Sequence, residues 1–68
     1  MIWISEQIDP CGIVYSCIAY KSKELAQDCY ENWQKNLTQQ QKDSGWQVNL
    51  RTVESWEDVP VNALKLSF

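Results

Sequence analysis

Apolar and polar residues along this chain alternate with two distinct periods. From Ser22 to Lys42, Leu25, Ala26, Cys29, Tyr30, Trp33 and Leu37 recur at spacings of three and four, while Lys23, Glu24, Gln27, Asp28, Glu31, Gln34 and Lys35 fill the positions between them. That is the 3.6-residue period of an amphipathic helix, and it predicts one helix with a single apolar stripe. Ser22 is the expected N-cap, Glu24 suits the positive helix start, and Glu31 precedes Lys35 by one turn. Gly45 is the expected stop, since it accepts the left-handed backbone of a C-terminal cap.

The remaining patterned stretches have a period of two. Met1 to Ile8 sets Ile2, Ile4 and Ile8 against Trp3, Ser5 and Gln7, and Trp46 to Glu54 sets Trp46, Val48, Leu50 and Thr52 against Gln47, Asn49, Arg51 and Val53. Ala63 to Phe68 alternates again, with Leu64, Leu66 and Phe68 expected inward. Ile13 to Tyr20 is apolar on both parities, as befits a central strand or one whose second face is covered by another subunit. Asp9-Pro10-Cys11-Gly12 has the residue order of a type I turn joining the first two strands. Ser55 to Asn62, with Trp56 and Pro60, reads as a loop. The resulting order is ββαββ over a single domain, residues 1–68. Two hairpins and a helix imply an α+β two-layer sandwich, a four-stranded, mostly antiparallel sheet with one helix packed on one face. Ile2, Ile4, Leu50, Leu64 and Leu66 are expected under the helix. Trp3, one parity of Ile13 to Tyr20 and Val53 are then left on an open apolar face available for association, including homodimerisation through the sheet face.

Composition narrows the function classes. Sixty-eight residues hold one core of marginal size, offset in part by four Trp, three Tyr and one Phe. The net charge is −3, there is no His, and the cations Lys21, Lys23, Lys35, Lys42, Arg51 and Lys65 are scattered, which disfavours phosphate-led nucleic-acid binding. No basic start followed by an apolar run marks a signal peptide, and no apolar stretch nears the roughly 20 residues of a membrane span, so a cytoplasmic location is expected. Cys11, Cys17 and Cys29 lack the spacing of a zinc or redox motif and read as reduced thiols, Cys17 and Cys29 as small buried hydrophobes and Cys11 as an exposed turn residue. No Cys–His pair, Ser-centred motif, calcium loop or phosphate-cradling glycine run is present. Neither an enzyme nor a cofactor or metal site is therefore expected.

Two constellations remain as candidate binding elements. Trp56 stands among Glu54, Glu57 and Asp58, an aromatic anchor with a charged rim. Its alternative role is to fold back and plug the core edge. Glu24, Asp28 and Glu31, spaced four and three, form an acidic row on the outer helix face, which is otherwise simply a solvated surface. In size, acidity and lack of catalytic residues the chain is similar to the very short acidic α+β proteins, anti-CRISPR proteins among them, that phages and mobile elements use as inhibitors of host machinery. That resemblance implies a small protein-binding inhibitor that meets a basic site of a larger complex. A small structural homodimer and a single-strand nucleic-acid binder are the alternatives.

Overall fold

Four strands and two helices make up the computed structural model, which describes residues 1–66: β1 (Ile2–Ile8), β2 (Val14–Tyr20), α1 (Lys23–Asn36), α2 (Gln39–Ser44), β3 (Gln47–Val53) and β4 (Leu64–Lys65), with a 3₁₀ turn at Trp56–Asp58. The four strands form one sheet in the order β3-β1-β2-β4. β1 runs antiparallel to both β2 and β3, and β4 pairs parallel to β2. The molecule is therefore an α+β sandwich whose mostly antiparallel sheet carries α1 on one face.

The β1–β2 hairpin follows from its turn residues. Asp9 accepts the Gly12 amide on its carbonyl and the Cys11 and Ile13 amides on its carboxylate, each at 2.9 Å. Gly12 closes the loop at φ 85°, where a side chain would be strained.

The long helix divides. Leu37 turns extended at φ −68°, ψ 125°, and Thr38 begins α2 with a capping box in which its hydroxyl accepts from the Gln41 amide and the Gln41 side chain accepts from the Thr38 amide. The sequence Thr-x-x-Gln thus restarts the helix inside a run of helix formers, because reciprocal capping satisfies two amides that continuation would have bonded to carbonyls. Ser22 caps α1 as expected, at 3.3 Å from the Leu25 amide, and Gly45 ends α2 at φ 107°. Glu31 accepts from Gln27 at 3.4 Å. Arg51–Glu6 is the one ion pair among the described residues, so Glu31–Lys35 is not formed.

β3 and β4 form no hairpin. They are parallel to each other and occupy opposite edges of the sheet, so residues 54–63 cross β1 and β2 to join them. This crossover lies on the face away from α1. Val59, Trp56 and Ala63 pack there against Ile2, Ile4, Cys17 and Ala19. Pro60 is tolerated because the segment pairs with no strand.

That crossover reverses the expected facing of β1. Ser5 points at α1, its hydroxyl donating to the Ala26 carbonyl at 2.6 Å, and the Lys23 ammonium lies 5.4 Å from the Trp3 ring centre. Ile2 and Ile4, on the other parity, fill the second layer. The reason is steric as well as polar. Ser5 and Ala26 are both small and fully buried, so helix and sheet approach closely along them, and the larger isoleucines take the side where a loop can fold around them. Val53 likewise sits in the second layer, so the open apolar face expected around Trp3 and Val53 does not exist in that form: one is under α1, the other under the crossover. Ala63 rather than Leu64 packs on the core, and Leu64 is 57% exposed at the sheet edge. Phe68 lies outside the described residues.

Candidate interaction surface

α1 lies mainly across β1 and β3. Its other flank leaves a groove of about 390 Å³ beside β2 and β4, lined by Leu25, Asp28, Cys29, Asn32 and Trp33 of α1 together with Tyr20 and Leu66. Leu25, one of the stripe residues expected in the core, is 39% exposed because the helix axis sits off-centre on the sheet. Asp28 stands on the rim of this apolar groove, and Glu24 and Glu31 follow the same outer face one turn to either side, both exposed. Burial against α1 and the neighbouring Cys29 thiol push the Tyr20 hydroxyl at the groove wall up to about 12.

The second acidic cluster lies in the other layer. Glu54, Glu57 and Asp58 are exposed, with Asp58 accepting from Ser55 at 3.3 Å to brace the 3₁₀ turn. Trp56 folds inward against the core, and its ring also borders a shallow depression with Lys21, Lys65 and Leu66. The inward packing is the core-edge role foreseen for this residue. The sheet separates the Trp56 loop from the Glu24–Asp28–Glu31 row, so the two acidic constellations are not one surface.

A polar cluster that the strand pattern only hints at occupies the second layer beside the core. Glu6 interrupts the Ile2–Ile4–Ile8 parity and is 6% exposed; one carboxylate oxygen accepts from Asn49 at 3.0 Å and from Arg51 at 3.2 Å across the β1–β3 ladder. Cys17 lies directly opposite Glu6 on β2, and burial, with the carboxylate adding to it, raises its thiol above the usual range, against a smaller opposing pull from Arg51. A raised thiol is the reverse of what a nucleophile needs. Cys11 is exposed at the hairpin tip. Among the described residues, no group of three or more His, Cys, Asp or Glu is placed to hold a metal ion, and no helix is long and apolar enough to cross a membrane.

Compared with protein-family models, with curated proteins and with solved structures, the chain matches none.

Proposed function

We propose that the chain is a small protein-binding module that docks the acidic rim and apolar floor of the α1 groove onto a basic, partly apolar site of a larger complex, in the manner of an inhibitor. One observation carries this reading: Asp28, in row with the exposed Glu24 and Glu31, edges a groove whose floor includes Leu25, Trp33 and Leu66. None of the three carboxylates is in an ion pair within the described residues. An apolar patch with a charged rim has the composition of an interface centre, and unpaired charge steers a cationic partner. The Trp56 loop is the weaker candidate, since its aromatic anchor is turned into the core.

Charge reversal tests the reading. Glu24→Lys with Asp28→Lys is expected to leave the far-UV spectrum and melting curve close to wild type, exposed single charges being worth less than about half a kcal/mol. Capture of a partner from a lysate of the source cells should then be lost, and wild-type capture should weaken as salt rises. Glu54→Lys with Glu57→Lys should retain capture. Loss of capture only in the loop pair would move the site to Trp56, and salt-insensitive capture that survives both pairs would remove the acidic mechanism.

A further inference from the structure

The two edges of the sheet are unlike. β4 has two residues, a blunt edge of the kind that discourages further pairing. β3 has seven, Gln47–Val53, and pairs with β1 without a bulge. It contains no Pro, Gly or Lys, and its one charge, Arg51, is already held by Glu6. Apart from Arg51, a charge on the inner, crossover-facing side, β3 carries none of the usual devices that protect an edge strand.

Which of its backbone groups are free follows from the ladder. The Ala19 carbonyl accepts from the Leu66 amide at 2.9 Å, so Ala19 directs its backbone to β4 and not to β1. Ala19 faces Ile4, hence Ile4 and its even-numbered neighbours in β1 direct their backbone to β3, where they meet Val53, Arg51, Asn49 and Gln47. The N–H and C=O groups of Val48, Leu50 and Thr52 therefore point out of the sheet.

We infer that β3 is a dimerisation edge whose occupant is β3 of a second copy of this chain, paired antiparallel about a two-fold axis at Leu50. The sequence is self-complementary in that register. Leu50 is the midpoint of Gln47–Val53, so all of the strand overlaps its copy. Leu50 meets its own counterpart as a hydrogen-bonded pair, and Val48 meets Thr52 twice, which satisfies every outward-pointing group of the strand. Arg51 falls opposite Asn49 of the copy. Shifting the axis by one residue toward the C-terminus would set Arg51 against Arg51, a like-charge pair that destabilises a ladder. The two-fold stands perpendicular to the sheet, so both α1 helices lie on one face of an eight-stranded sheet. Because α1 lies over β1 and β3, their axes are two to three strand spacings apart, about 10–14 Å, close to side-by-side packing. By helical spacing, the flank of α1 turned toward the axis, opposite the groove, carries Lys23, Gln27, Tyr30 and Gln34. The docking groove stays open at the outer sides, so this inference is independent of the docking reading.

Sedimentation of the intact protein from low to high micromolar concentration should show a mass rising from 8.0 kDa to twice that value. Amide exchange on the same samples should show Val48, Leu50 and Thr52 becoming protected as the dimer fills, while Asn49 and Arg51, bonded inside the sheet, stay protected throughout. Thr52→Pro removes an outward N–H that the monomer does not use, a position where an edge strand tolerates proline. It should raise the dimer dissociation constant by about thirtyfold or more, the factor for two ordinary hydrogen bonds lost across the two-fold. A mass that stays at 8.0 kDa at hundreds of micromolar overturns the inference, as does a dimer in which Val48, Leu50 and Thr52 exchange as freely as loop amides. Should Thr52→Pro fail to fold, the exchange pattern of the wild-type chain decides alone.

Discussion

Ile4 and Ser5 are neighbours in sequence and fully buried, yet they serve opposite layers. Ile4 anchors the cluster with Ile2, Cys17, Ala19 and Val59, where truncation leaves a cavity that the crossover segment cannot refill. Ile4→Ala is expected to cost about 2–5 kcal/mol, a large share of the stability of so small a domain, and a urea titration followed by tryptophan fluorescence measures it. Ser5 matters through one hydrogen bond and its small volume. Neither property is visible in an alternating pattern that places Ser5 with the polar residues. Glu6 shows the same limit from the other side: a carboxylate on the apolar parity of β1 reads as a break in the pattern until Asn49 and Arg51 are brought across to it by the β1–β3 register.

At the scale of elements, local chemistry accounts for most boundaries. Ser22, Gly12 and Gly45 act at the positions where capping and turn geometry require them. The division between α1 and α2 was legible too, in Thr38 and Gln41, but the continuous apolar stripe concealed it. Thr38→Ala should remove the hydroxyl half of the capping box, which accepts from the Gln41 amide, and destabilise the fold by about 0.5–2 kcal/mol. The loss should be concentrated in α2, so that amide exchange speeds up in Gln39–Ser44 while α1 keeps its protection. Equal acceleration in both helices would show that they behave as one unit.

For the whole molecule, α1 on one face and residues 54–63 on the other bury a single sheet from both sides, and stability depends on both layers. Tyr20, on the helix side, links that stability to pH. Its hydroxyl titrates near 10 in an unfolded chain and is pushed up to about 12 in the fold, so between those values the folded state holds more protons than the unfolded one. Stability is therefore undiminished by this group below pH 10 and falls as pH rises toward 12. Tyr20→Phe, which cannot ionise, should flatten that alkaline decline in a series of thermal melts. An unchanged slope would mean the hydroxyl is no better shielded in the fold than in the open chain.

The α+β class, the β1–β2 hairpin with its Asp-Pro-Cys-Gly turn, the central place of β2 and the helix start at Ser22 were determined by the sequence alone, because each rests on residues close together in the chain: periodicity, turn chemistry and capping act over a few positions. The candidate surface was legible only as a row of acids. That Asp28 borders an apolar groove depends on where α1 crosses the sheet, and that Trp56 faces inward depends on the crossover beneath it. Tertiary structure alone decided which parity of β1 meets the helix and that β3 and β4 stand at opposite edges. A period of two marks that a strand has two faces without saying which partner covers each. Strand order is a choice among pairings of similar local quality, made here by close packing at Ser5 and Ala26 and by the ten residues 54–63, long enough to cross two strands.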